Sequence, residues 1–356
     1  MTMRTRHFIM EPRSVQVTDR QRFNAAGCSD HVPGEDLQLT ASAATKIRNV
    51  LLVLFLTGLA LPSISFAHGF AGQRFFPTTF AVDDPFVSDE FSLLYNQIQM
   101  PGDAGGPRVD TASLSTEVSK RITQHFGISV GGQYQSLHPK GEAAARGYGN
   151  LEVNAKYQFY TSAEHETLMS VGISDEIGNT GNKKVSDPFS VISPTFYFGK
   201  GFGDLFDSSS LLRPLAVTGV LAWNVPTNPQ TVTVNLDTGD IDIGRNPATL
   251  TWGFTVQYSF IYLQSFVKDI GLIAPFDRMV AVVEFPMETC LNRGCEHQTT
   301  GTVNPGITWI GKKMELGIAA QIPMNERSGE HIGVFGLLHF FIDDLFPKSI
   351  GRPIIP

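Results

Sequence analysis

The feature that most constrains this chain is an alternation of apolar and polar residues, recurring in segments of about ten residues. Between Leu151 and Phe159 one face reads Leu151, Val153, Ala155, Tyr157 and Phe159, and the other reads Glu152, Asn154, Lys156 and Gln158. Leu250 to Phe260 repeats the pattern, with Thr251, Gly253, Thr255, Gln257 and Ser259 on the second face. In Phe126 to Tyr134 the second face is Gly127, Ser129, Gly131 and Gln133. Successive side chains of a strand point to opposite sides of its sheet, so each segment is a strand with one greasy side and one wet side. The wet sides of the last two are small, which suits a hydrated interior.

Twelve such segments are expected, near 90–98, 109–119, 126–137, 148–160, 166–175, 188–199, 212–224, 249–262, 278–289, 300–310, 313–323 and 331–342. An even count is what single-chain bacterial barrels have, and it returns both termini to one side. Taking the first strand as outward-going, the outer loops are 99–108, 138–147, 176–187, 225–248, 290–299 and 324–330. Most are rich in Gly, Pro or charge, whereas Gly311-Lys312-Lys313 on the other side is a tight turn. Long outer loops and short periplasmic turns are the usual asymmetry of membrane barrels. Residues 263–277 break it, being long where a turn belongs.

The expected fold is therefore all-β: an antiparallel up-and-down transmembrane β-barrel of about 12 strands, following a cleaved signal peptide. A soluble periplasmic β-sandwich would also alternate, but its greasy faces would meet in a dry core. Aromatics at segment ends favour the barrel, since membrane barrels carry aromatic girdles at both interfaces. Tyr157, Phe159, Tyr160, Trp252, Tyr258, Phe260 and Trp309 are so placed. Only 17% of residues are charged, and Gly, Ser, Thr, Asn and Gln fill the difference. A single long apolar run excludes a helical membrane protein.

That run lies in residues 46–67. Lys46 and Arg48 precede an apolar stretch from Val50 to Leu61, Pro62 ends it, and Ser65-Phe66-Ala67 is a cleavage-type triplet. This reads as a secretory signal peptide. Residues 1–45 are polar and Arg-containing without periodicity, and are expected to be a disordered extension from an over-extended start. Residues 68–89 are expected to form an N-terminal periplasmic segment, 90–342 the barrel, and 343–356 a C-terminal periplasmic tail. The net charge of −7 gives no general attraction to nucleic acid. Export and barrel together place the chain in the outer membrane of a Gram-negative cell.

Two resemblances add to this. The stretch His331 to Phe341, with its Gly residues and terminal aromatics, resembles the last strand by which outer-membrane proteins engage the barrel-assembly machinery. The segments HGFAGQRFFPTTFAVDDPFVSDEF, YLQSFVKDIG, VVEFPMET and FFIDDLFPKSIGRPI resemble a group of bacterial exported proteins related to the outer-membrane, transporter-like proteins named for the meta pathway of phenol degradation. That resemblance implies an outer-membrane barrel passing small, hydrophobic or aromatic solutes, and it implies no reaction. The partners expected are outer-membrane lipid and lipopolysaccharide, the assembly machinery and a small solute.

Candidate chemistry is sparse. Glu152, Lys156 and Glu284 are the candidate lumen charges, with Lys120 and Arg121 beside them; inward charges set selectivity in barrels. Cys290 and Cys295, separated by LNRG in an outer loop, are a candidate disulfide in an oxidising compartment. Zinc is disfavoured there, because His297 is the one further ligand nearby. His68 would become N-terminal on cleavage, but alone it is a weak copper ligand set. Asp83, Asp84, Asp89 and Glu90 lack calcium-loop spacing and read as solvated acids. His165-Glu166 and Asp175-Glu176 have no nucleophile pattern beside them, and no nucleophile elbow or phosphate loop occurs. No metal, cofactor or catalytic residue is therefore assigned. The expected function is passage of small solutes, with a loop 225–248 folding inward to narrow the path. The alternatives are a barrel enzyme acting on membrane lipids and the soluble sandwich as a binding protein.

Overall fold

The computed structural model describes residues 69–101, 108–234, 241–293, 295 and 297–355. The expected signal peptide, the extension before it, Cys28 and His68 lie outside the described residues.

Twelve antiparallel strands close on themselves. They are β1 (Glu90–Met100), β2 (Val109–Arg121), β3 (Phe126–Pro139), β4 (Leu151–Ser162), β5 (Thr167–Ile177), β6 (Val191–Gly201), β7 (Leu215–Pro226), β8 (Thr249–Ser259), β9 (Met279–Cys290), β10 (Thr299–Ile310), β11 (Met314–Pro323) and β12 (Gly333–Phe341). Each pairs with the next, and β12 pairs back with β1 from Val334↔Gln97 to Phe341↔Glu90. Closure leaves no unpaired edge, which hydrocarbon would not tolerate. The strands match the twelve alternating segments, because a period of two is a property of strand geometry itself.

The alternation resolves in one sense only. Mid-strand apolar side chains such as Leu114, Val130, Val171, Ile173, Leu221 and Ile318 are exposed. Their polar neighbours Ser115, Ser170, Thr218, Thr255, Asn304 and Gln321 are buried. A soluble sandwich inverts this order, so that alternative falls. An apolar band around a closed barrel is a lipid-facing surface. On the other face, side-chain atoms of Asn96, Thr255, Gln257, Thr302, Asn304 and Gln321 have no hydrogen-bond partner within the protein. These residues are almost wholly closed to solvent, so the inner face of the wall is polar and tightly packed.

Both termini of the barrel leave from one end, at Glu90 and Phe341. Most connections at the opposite end are long, whereas at the terminus-bearing end 122–125, 163–166 and 311–313 are tight turns and 202–214 and 260–278 are long. Residues 225–248, expected to fold inward, include a separate two-stranded hairpin (Gln230–Val234 with Ile241–Arg245) on which Val232 and Ile243 are exposed.

Candidate functional site

The lumen is not empty at the terminus-bearing end. Residues 69–89, expected as a periplasmic segment ahead of the barrel, pack inside it. The physical reason is in their composition: Phe75, Phe76, Phe80 and Phe86 are wholly or partly buried by this packing and would otherwise face water. Phe80 and Ala81 join Leu94, Val280, Val282, Phe335 and Leu337 in one buried cluster. Phe76 and Phe86 join Leu168 and Ala216 in a second, and Val82 joins Tyr197 and Val220 in a third. The segment is thus a strap across the lumen, touching strands on opposite sides.

The strap begins in a small hairpin, Phe70–Ala71 against Arg74–Phe75. Gly72 makes its turn at φ +64°, and a Cβ there would sit 2.1 Å from the Ala163 carbonyl oxygen, so only glycine fits. Arg74 is buried. Its Nε donates to Glu166 Oε2 at 3.1 Å, its Nη1 to the Pro214 carbonyl at 2.9 Å and its Nη2 to the Arg213 carbonyl. Tyr262 Oη donates to Glu166 Oε1 at 2.8 Å, and the Arg74 guanidinium lies 3.9 Å from the Tyr262 ring centre. Burial, then the hydrogen bond to Glu166 and its charge, push the Tyr262 phenol above its ordinary pKa. Glu166 reaches the cluster from a left-handed backbone position, φ 44°.

Midway, wall carboxylates take the strap by its backbone. Glu284 accepts the Phe80 N–H at 2.6 Å through Oε1 and the Ala81 N–H at 2.8 Å through Oε2. Glu315 accepts the Thr78 N–H at 3.2 Å. Lys156 donates to the Asp84 carbonyl at 2.7 Å, pairs with Asp83 at 3.4 Å, and lies 4.5 Å from the Tyr197 ring centre. Ser170 Oγ donates to the Pro85 carbonyl. Where the strap meets β1, Asp89 accepts from Lys120 Nζ at 2.6 Å, from the Arg121 N–H at 2.9 Å and from Arg121 Nε at 2.8 Å. Arg121 also donates to the Gly351 carbonyl at 3.1 Å and lies 3.4 Å from Asp343, tying down the C-terminal residues.

Of the sequence-derived candidates, Lys156 and Glu284 both face the lumen and hold the strap. Glu152 shares the inward face of β4 with Lys156, opposite Glu176 and Gly131 in register. Cys290 and Cys295 form a disulfide with Cα atoms 5.9 Å apart. Asp83, Asp84 and Asp89, read from sequence as solvated, are buried partners of Lys156, Lys120 and Arg121. Residues 343–356, expected as a tail, contribute Asp343 and Gly351 to the buried contacts at the barrel end. Sequence reasoning missed Arg74 and Glu315, and weighed Glu166 only as half of an acid–base pair with His165. The available signal was the Phe content of 69–89, which a solvated segment does not need.

Among the described residues no group of three or more His, Cys, Asp or Glu could hold a metal ion. One arrangement bears on enzymatic chemistry: Ser92 Oγ lies 2.8 Å from His339 Nδ1, and His339 Nε2 lies 3.6 Å from Glu90 Oε2. Both Ser92 and His339 are buried, with the Phe341 ring 5.0 Å from the imidazole. At 4% and 0% exposure, Ser92 and His339 are closed to an approaching substrate in this arrangement.

The fold and its lumen define a membrane-spanning β-barrel with an internal strap. No protein-family model and no curated protein matches the chain. Among solved structures it is similar to an outer membrane channel from Pseudomonas putida F1, at 9% identity and a TM-score of 0.49, covering 75% of this chain and 99% of that one. It is also similar to the KdgM porin (13% identity, TM-score 0.39, 70% and 98% covered). A third similar structure is LpxR from Salmonella typhimurium (11%, 0.38, 71% and 99%). These are likenesses of strand layout, and the fold assignment rests on the closed register of the chain's own strands.

Proposed function

We propose that this barrel sits in the outer membrane of a Gram-negative cell and gives passage to small solutes, with the strap of residues 69–89 closing the path. The observation that carries the proposal is the pairing of a closed twelve-strand wall, polar on its inner face, with a strap that packs inside it. A barrel of this size lies between the filled eight-strand and the open sixteen-strand classes. The strap forms no rung of the wall ladder. The solute class, hydrophobic or aromatic, rests on the sequence resemblance to the meta-pathway group alone. The outer-membrane location follows from barrel closure, the apolar outer band and the even strand count. A barrel enzyme acting on lipid is the second reading, favoured by the Ser92–His339–Glu90 contacts and opposed by their burial.

The test is reconstitution into planar bilayers, with insertion verified by a heat-modifiable gel shift. Discrete conductance steps, or solute flux into liposomes, are expected. A silent, impermeable membrane with confirmed insertion, both for the intact chain and for one lacking the strap, would overturn the proposal.

A further inference from the structure

Two neighbouring connections at the terminus-bearing end are longer than strand pairing requires. Residues 202–214 join β6 to β7, and residues 260–278 join β8 to β9; β7 and β8 are paired, so the two emerge side by side. Antiparallel neighbours need only about two to five residues. The connections are tied together. Tyr258 Oη donates to the Leu211 carbonyl at 3.1 Å, and Arg213 donates to the Phe266 carbonyl at 3.3 Å and to the Gly203 carbonyl at 2.9 Å. Their roots close the barrel mouth: Tyr262 and Leu263 are buried, and Ile261 packs on the internal cluster.

Their outer parts are apolar and uncovered. Leu205, Leu211, Leu212, Phe266, Ile273 and Phe276 are all exposed, Ile273 to 75%. Contiguous exposed apolar surface on this scale marks an interaction site. The adjacent surface identifies the occupant. Tyr258 at the end of β8 and Phe260 just past it meet edge to face, ring centres 5.6 Å apart, and Met279, Ile307 and Trp309 form the β9–β10 side of an apolar groove that continues over β11, β12 and β1. The lipid-facing band therefore continues to the base of both connections. An 11-residue strand such as β8 extends about 37 Å, or about 28 Å along the membrane normal at the usual barrel tilt. Residues just beyond Ser259 and Gly201 consequently lie at headgroup depth.

We infer that residues 202–214 and 260–278 form a single interfacial element, seated in the phospholipid headgroup region at the terminus-bearing end with its Leu, Ile and Phe side chains among the acyl chains. Its charges nearly cancel, with Asp204, Asp207, Asp269 and Asp277 against Arg213, Lys268 and Arg278. That balance fits zwitterionic lipid, where a basic cluster would be built for anionic lipid. The element accounts for the length of 263–277, which strand pairing does not. The inference rests on the membrane-barrel reading and is independent of transport.

The test is site-directed spin labelling in phosphatidylcholine liposomes, in a Cys28→Ala chain with the Cys290–Cys295 disulfide intact. Labels are placed at Ile273, Leu212, the mid-strand outward site Leu221 and the exposed Lys348. At Ile273 and Leu212 collision with oxygen is expected to exceed collision with a water-soluble nickel chelate severalfold, as at Leu221 and opposite to Lys348. Nickel accessibility like that of Lys348 would overturn the inference while Leu221 still reports the barrel. Shielding from both reagents would also overturn it, replacing lipid by contact with another protein copy. A nickel-accessible Leu221 would instead remove the barrel reading.

Discussion

Glu284 is the contact whose loss the structure turns into a measurable opening. Replacing it with Ala removes both acceptors from the Phe80 and Ala81 N–H groups, which lie 2.6 and 2.8 Å from its two oxygens. Each buried donor left without a partner costs about 1–3 kcal/mol, and water reaching the lumen recovers part of that. A net loss of about 3 kcal/mol, the lower half of the range for two donors, corresponds to about a hundredfold rise in the open population. The assay is hydrogen exchange of the Phe80 and Ala81 amides in the reconstituted barrel, with β8 and β9 amides as internal controls. Their protection should fall about a hundredfold while the strands stay protected. Glu284→Gln, which keeps one acceptor and most of the packing, should fall between. Unchanged protection at Phe80 and Ala81 in a folded Glu284→Ala barrel would refute the claim that this carboxylate holds the strap.

Three other outcomes are expected. A chain lacking residues 69–87 should still show the folded gel shift but conduct in larger steps than the intact chain. Glu166→Ala leaves Arg74 charged and buried without its carboxylate, at a cost of about 3–5 kcal/mol; limited proteolysis should then cut within residues 69–77 while the barrel resists. The Cys290–Cys295 bridge closes a short loop, for which chain entropy gives about 2 kcal/mol. Reduction should loosen residues 290–297 by hydrogen exchange and lower the barrel's unfolding temperature by a few degrees.

Strand positions were legible because one physical rule, the two-residue period, acts locally and identically in every segment. Leu151–Phe159 and Leu250–Phe260 announce their two faces without reference to the rest of the chain. The sense of the alternation was legible too, from aromatics such as Tyr258 and Trp309 near strand ends. The strap was not, because nothing local tells whether an acid is solvated. Asp83, Asp84 and Asp89 look like surface residues until Lys156 and Arg121, tens of residues away, are brought opposite them. Glu284 was picked out as an inward charge, but its role depends on meeting the backbone of Phe80 and Ala81, over two hundred positions earlier. Backbone hydrogen bonds carry no side-chain signature, so such contacts leave no trace in sequence. The Phe content of residues 69–89 was the one warning, since five large rings in a short solvated segment are costly.

The claim on which the account stands is that the greasy faces meet lipid and the polar faces line the lumen. Single cysteines placed in turn at Thr251, Trp252, Phe254, Thr255, Val256 and Gln257 of β8, in liposome-embedded protein lacking the strap, test it with a membrane-impermeant thiol reagent. Labelling at 251, 255 and 257 with protection at 252, 254 and 256 is the expected result. Protection at the threonine and glutamine positions with labelling at the aromatic ones, or labelling without alternation, would contradict it.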